Sequence, residues 1–484
     1  MVEIMVRNAS SGVIGISENN PHYFQYKGKE ILLITSAEHY GAVISKKFDY
    51  VKYFDALAEF GLNYTRIYPG AFVECEGKWL PVDNMAPGAD LIVPWARSGV
   101  PGYHGGGEKF DLDRWDPEYF ARLRDFVEQA EKRGIIVEIC FFNTEYEDFW
   151  EYSPLHKNAN IQGVGDCEPN DVQTLDNAPL VREQMKYIEK LIVETNEYDN
   201  VIYEFIDEPT LFLTPSQKAF KWISALIDKA IEVEDTLPKK HLLAQQLELG
   251  VNFSDDDRVA VITTQYIQMS SRQVGGVPAL ENCYCYNKPI ELNETFYVNS
   301  WKKENLAAPS RLEAWEFMVG GGAGFNQLNG FFVVPDPSGD NETNRQLLQG
   351  LKNLRIFLEG FDFAKMTRDS HSIRKISTGA RINMISAPGK QYAIYMHHSF
   401  PCISGYGGTY YEPNYGRYSP EITVNLEAGE YEVVFIEPET LAELGRQTIT
   451  SNGSDDIGNG GGDVLITCPE YTLDIAIKIT TRNP

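Results

Sequence analysis

Basic residues are scarce in this 484-residue chain: 43 Lys and Arg stand against 69 Asp and Glu, a formal charge of −26. So acidic a surface repels phosphate backbones and anionic headgroups, which argues against nucleic-acid and membrane partners. No run of about 18 apolar residues occurs, so no bilayer-spanning helix is expected. The seven cysteines (Cys75, Cys140, Cys167, Cys283, Cys285, Cys402 and Cys468) are odd in number and lack CxxC spacing. Neither a disulfide framework nor a metal site is expected from them, and nothing in the chain asks for a cofactor. Cys283 and Cys285 read as two small buried residues on one strand face. The Gly-rich phosphate turn of a doubly wound sheet is also missing, since Ile34 runs into Thr35-Ser-Ala-Glu-His-Tyr40. Residues 1–19 lack the basic start, apolar stretch and cleavage site of a secretory signal. The expectation is a cytoplasmic protein, or an exported one whose leader precedes this chain.

What the chain does have is a globular composition, 43% hydrophobic and 23% charged, with ample material for a large core. A hairpin is read at His22–Tyr26, with Lys27-Gly28-Lys29 as its turn. Eight short apolar runs then alternate with helical stretches: Ile31–Ile34, Tyr64–Tyr68, Ile135–Phe141, Val201–Ile206, Leu242–Leu247, Val259–Thr263, Ile290–Asn293 and Phe325–Leu328. Continuous apolar runs of this length suit strands covered by helices on both faces. Between them, apolar residues recur at helical spacing: Val51, Phe54, Leu57 and Ala58; Phe120, Leu123, Val127 and Ala130; Phe220, Ile223, Ile227, Ala230 and Ile231. Two of these helices stop at Gly61 and Gly134 immediately before a strand, as αβ loops prefer. Eight βα repeats predict an α/β fold, a (β/α)8 barrel over residues 1–365. From residue 366 to 484 the period changes to two. Arg381–Ser386, Tyr392–Met396, Ile422–Leu426, Tyr431–Ile436 and Tyr471–Ile479 predict a C-terminal antiparallel β-sandwich. The Gly-rich Ser451–Gly462 reads as a hairpin loop.

Barrel chemistry belongs at the carboxyl ends of the strands. The fourth strand runs into Tyr203-Glu-Phe-Ile-Asp207-Glu208-Pro209, and the seventh into Ile290-Glu-Leu-Asn-Glu294. Buried strand ends tolerate carboxylates only with partners, so paired acids facing each other across a barrel mouth point to catalysis. The other strand ends supply Glu38 and His39, Arg66, Asn143 and Tyr266, and Trp301 lies just beyond the seventh strand. The insertion from Phe72 to Phe110, with Trp79, Trp95, Tyr103 and His104, reads as a wall of the cleft.

The segment ending in Asp207-Glu208-Pro209 resembles the Asn-Glu-Pro signature of clan A glycoside hydrolases. Ile290–Glu294 resembles their nucleophile strand, and Arg66 in Asn63-Tyr-Thr-Arg66-Ile is similar to the arginine ending their second strand. Hairpin, barrel and terminal sandwich together resemble bacterial enzymes of this clan that carry a collagen-binding-like domain. The resemblance implies a retaining glycoside hydrolase acting on an oligosaccharide, polysaccharide or glycoside. Glu208 would be the acid/base and Glu294 the nucleophile, with substrate contacts from Glu38, His39, Arg66, Asn143, Asp207, Tyr266 and Trp301. It departs from the family where Asp207 replaces the usual Asn, which puts the substrate's 2-substituent in question. Two other classes stand beside it. Glu138, Asp207, Glu208 and Glu248 would hold magnesium in an enolase-like barrel, and a degenerate barrel would merely bind glycans.

Overall fold

The computed structural model describes residues 7–78, 82–86, 88, 90–209, 215–248, 250–265, 276–295, 307–403, 409–453 and 461–482. Eight strands form one parallel sheet: β1 (Leu33–Thr35), β2 (Tyr64–Ile67), β3 (Ile136–Asn143), β4 (Val201–Asp207), β5 (Leu242–Gln246), β6 (Val261–Gln265), β7 (Ile290–Glu294) and β8 (Gly324–Asn326). Hydrogen-bonded neighbours follow chain order from β2 to β8 and then return to β1. The seam between β1 and β2 is closed by one residue. Asn63 donates its backbone N–H to Ile34 O at 3.3 Å, its Nδ2 donates to Leu32 O at 2.9 Å, and its Oδ1 accepts from Ile34 N–H at 3.0 Å.

Helices α1 (Tyr50–Glu59), α2 (Pro117–Lys132), α3 (Ala178–Thr195), α4 (Ser216–Asp235), α5 (Val277–Cys283), α6 (Ala307–Val319) and α7 (Glu342–Glu359) cover the sheet. Among the described residues the connection from β5 to β6 carries no helix. Sequence sets the helix ends. Asp49 and Asp116 cap α1 and α2 by accepting from Lys52 N–H at 3.1 Å and Glu118 N–H at 2.9 Å. Gly61 and Gly134, both at φ +69°, supply the left-handed stops. On α4 the buried face runs through Ala219, Trp222, Ile223, Leu226 and Ile227. Phe220, read as part of that stripe, is instead exposed and stacks on Phe253 with centroids 4.3 Å apart.

The second unit is a β-sandwich. One sheet orders Thr367–Arg368, Arg381–Ala387, Gln391–His397, Asp474–Thr481, Gly429–Ile436 and Glu443–Ser451; the other orders Ile373–Ile376, Glu421–Glu427 and Gly461–Thr467. Alternation divides the large sheet's two faces. Tyr392, Ile394, Met396, Ile475, Ile477 and Ile479 pack in the sandwich core, while Ala393, Tyr395 and Ala476 join the barrel core. The sheet therefore seats on α6, whose residues Ala308–Val319 are all buried. Trp315 contacts Tyr395 on one side and Phe357 of α7 on the other, at 5.4 and 5.1 Å between centroids. Glu443–Ser451 and Gly461–Thr467 pair into different sheets, so these two strands are not the arms of a hairpin; most of the predicted loop Ser451–Gly462 lies outside the described residues. Cys283 ends α5 and is buried, but Cys285 sits in a short 3-10 turn and is exposed, contrary to the strand reading. Among the described residues no helix is long and apolar enough to cross a membrane.

Candidate active site

Because all eight strands are parallel, their carboxyl ends open at one mouth. Asp207 ends β4, Glu208 follows it, and Glu294 ends β7, so the two sequence-predicted acids share that mouth. Arg66 on β2 is the hub beneath them, fully buried. Its Nε donates to Glu204 at 2.7 Å, its Nη2 to Asp207 at 2.8 Å, and its Nη1 to Glu294 at 3.4 Å. The rings of Tyr40 and Tyr68 flank the guanidinium at 4.9 and 5.4 Å. Asp207 also accepts from the Tyr68 hydroxyl and from Gln265 Nε2. Glu204 takes further bonds from Thr263 Oγ1 at 3.2 Å and Asn293 Nδ2 at 3.0 Å.

Glu208 stands apart from this cation. Its carboxylate accepts from the Tyr146 hydroxyl, and its backbone N–H donates to Gln246 Oε1 at 2.7 Å. Its φ of +50° lies in the left-handed region, as does that of Tyr40 at +55°, and non-glycine residues held there mark positions where surroundings override backbone preference. Burial raises the Glu208 carboxyl well above the usual range, and the charges of Asp207, Glu294 and Glu248 raise it further against the pull of Tyr146. Burial and Asp207 also raise Glu294, but Arg66, His39 and the Tyr40 hydroxyl restrain it to about 8. The two acids are thus inequivalent, with the cation on the Glu294 side.

A layer deeper, Tyr64 donates to Glu138, and Glu291 keeps both carboxyl oxygens buried with no hydrogen-bond partner among the described residues. Burial pushes Glu138 up to about 8 and Glu291 well above its ordinary value, and the neighbouring acids push both in the same direction. Glu138 sits mid-strand, below the mouth. Among the described residues the strand-end acids Asp207, Glu208 and Glu248 form no convergent cation cage with it; the group with that property is His39, Glu74 and Asp83.

The other sequence-predicted residues fall in three places. Glu38 is fully buried and spends its oxygens on the Ala42 N–H at 2.9 Å and Asn84 Nδ2 at 2.7 Å, with burial raising it to about 7. His39 turns Nε2 to both oxygens of Glu74, each at 3.0 Å. Asn143 ends β3 beside Asp207 in the ladder, and its Oδ1 is buried with no hydrogen-bond partner among the described residues. Tyr266, Trp301 and Trp79 lie outside the described residues. In the insertion, Trp95 packs in the core between Trp115 and Tyr187 rather than facing the cleft, with centroids 6.0 and 5.2 Å away. Sequence reasoning did not single out Tyr40, Tyr146, Gln246 or Gln265. The two glutamines end strands β5 and β6, where the rule applied to acids would have found them.

A mouth with one acid pushed toward its protonated form and another beside a guanidinium has the makings of a proton donor and a carboxylate nucleophile. No protein-family model and no curated protein matches the chain. Among solved structures, a glycoside hydrolase family 5 protein from Bacteroides vulgatus ATCC 8482 is 12% identical, with 98% of this chain and 94% of that one covered and a TM-score of 0.62. A structure described as a glycoside hydrolase is 11% identical over 98% of each chain, also with a TM-score of 0.62. At such identities the likeness establishes the fold, which extends through both barrel and sandwich.

Proposed function

We propose that the protein is a retaining glycoside hydrolase, with Glu208 as acid/base and Glu294 as nucleophile. The carrying observation is the asymmetry of the two acids. Arg66 stands 3.4 Å from Glu294 and favours its ionised form, while Glu208 has acids beside it and keeps its proton. Glu208 donates that proton to the glycosidic oxygen as the bond to the leaving group breaks. Glu294 attacks the anomeric carbon from the opposite face and forms a glycosyl-enzyme. Glu208, now a base, then takes a proton from water, which displaces Glu294 and restores the original configuration.

Glycoside hydrolase neighbours of the same two-unit fold support this reading. The surroundings refine the other roles. Arg66, Tyr68 and Gln265 hold Asp207 from three sides, so it acts chiefly by fixing Arg66 and keeping Glu208 protonated. Glu38 holds the loop after β1, and Asn143 offers its free Oδ1 to a substrate hydroxyl. The substrate is a neutral glycoside, oligosaccharide or polysaccharide, because an anionic one would meet the uncompensated acids of the mouth.

A panel of aryl glycosides identifies the sugar, and azide then tests the roles. Glu294→Gly removes the nucleophile, so azide enters from the vacated face and gives a glycosyl azide of inverted configuration. Glu208→Ala still forms the covalent intermediate from a good leaving group, and azide gives the retained product. The opposite pairing of products means the roles are exchanged. Near-wild-type turnover in both variants removes both residues from the mechanism.

A further inference from the structure

We propose that His39, Glu74 and Asp83 form a site for one divalent transition cation of the zinc class, pinning the loop after β1 to the insertion after β2. The three residues come from two separate loops at the mouth, and each offers a ligand atom within 4.8 Å of the others. Ligands around one tetrahedral zinc ion, bound at about 2.0–2.2 Å, lie roughly 3.3–3.6 Å apart, so small side-chain adjustments complete the set. His39 Nε2 already faces both Glu74 oxygens at 3.0 Å.

Two observations point to an occupant. Asp83 spends Oδ1 on the Met85 N–H at 2.7 Å, and its carboxyl lies buried against that of Glu74, with no donor to Oδ2 among the described residues other than a proton shared with Glu74. His39, itself more than nine-tenths buried, has no hydrogen-bond partner at Nδ1 among the described residues, so its only hydrogen bonds there lie within the cluster. The charge is also unmatched. Among the described residues neither Glu74 nor Asp83 pairs with a lysine or arginine, and His39 is the ion-pair partner of Glu74. Two carboxyls in contact require either a shared proton or a cation between them. One imidazole with two carboxylates suits zinc or manganese, whereas calcium and magnesium take oxygen donors.

The site touches the mouth through one residue. Tyr40 follows His39, packs its ring 6.0 Å from the imidazole, and places its hydroxyl against Glu294. A cation here fixes the loop carrying Tyr40 and takes no part in bond breaking. The inference therefore stands whether or not the protein is a glycosidase.

The test uses the full chain, stripped with a chelator and titrated with Zn2+ alone. Equilibrium dialysis should find about one equivalent bound at micromolar or tighter affinity, and Tm should rise by about 2 °C or more at saturation. Asp83→Asn and Glu74→Gln, checked for folding by circular dichroism, should each weaken binding about tenfold or more. X-ray absorption at the zinc edge should show only nitrogen and oxygen ligands. No retained zinc, equal uptake by wild type and both variants, or sulfur ligands at about 2.3 Å would overturn the proposal and leave a carboxyl pair sharing a proton.

Discussion

Two buried charged clusters in this molecule obey the same physics with opposite results. Between α6 and the large sheet of the sandwich, Asp474 and Glu316 each have their own arginine, whereas Glu313 on the same helix has no such partner among the described residues and is raised to about 8 by burial and by Glu316. Asp474 accepts from Arg311 Nε and Nη2 at 2.9 and 3.1 Å and from the Tyr395 hydroxyl at 2.9 Å. Glu316 accepts from Arg381 Nε at 2.8 Å and from Asn383 at 3.3 Å, and also binds the Tyr411 hydroxyl. Burial pushes Glu316 up, yet His397 at 3.6 Å, Arg381 and Tyr411 together outweigh it and hold the carboxyl at about 2. In the barrel, Glu138, Glu204, Asp207, Glu291 and Glu294 share the guanidinium of Arg66, Glu208 stands beyond it, and Glu138, Glu204, Glu208, Glu291 and Glu294 are all raised. Burial is equally severe in both places, so the supply of counter-charge decides. Matched acids hold two units together. Unmatched acids are pushed toward their protonated forms, which suits the proton transfers proposed above.

The comparison breaks most visibly at Glu294. Glu294→Gly should lower kcat/KM on an activated aryl glycoside by about 10^4-fold or more, while Tm stays level or rises, because an unmatched buried acid has gone. A large fall in Tm instead would make the mouth a structural cluster like the interface. The reciprocal change is Arg311→Met, which strands Asp474. It should cost about 3–5 kcal/mol in urea unfolding and leave turnover per folded molecule unchanged.

The pH dependence follows with opposite signs. Glu316, depressed in the folded state, contributes stability that is present above its ordinary value of 4.5 and is lost as pH falls towards about 2. Glu316→Gln should therefore flatten the acid side of a Tm-against-pH curve between those limits. At the mouth, Glu294 must be ionised to attack, so kcat/KM should rise as pH increases through about 8 and fall again at higher pH as Glu208 loses its proton. The smallest effect is expected from Tyr146→Phe. Tyr146 favours the ionised Glu208 carboxylate, so its loss should move only the descending limb, upwards and by less than about one pH unit.

Much of this was legible before folding. Eight apolar runs, the stops at Gly61 and Gly134 and the change of period after residue 366 were enough for a barrel followed by a sandwich, though β1 starts at Leu33 rather than Ile31. Such signals are local, since each strand or helix end depends on its own few residues. Helix α6 was less legible: Arg311, Glu313 and Glu316 sit among its apolar residues and break up any single apolar stripe. They are buried because a second unit lands on them, and no local pattern announces that.

The site divides in the same way. Asp207, Glu208 and Glu294 were found because a strand ending in acids is conspicuous in one dimension, and strand order alone placed them at a common mouth. Only the tertiary structure decided which acid lies beside a cation and which beside a phenol, since that depends on Arg66 arriving from β2 and Tyr146 from the loop after β3. Likewise it alone brought Glu74 and Asp83 to His39, and put Asn63 across the seam of the barrel. The physical reason is range. Propensity and hydrophobic period act over a few neighbouring residues, whereas charge and hydrogen bonding act through space between residues that the chain keeps far apart.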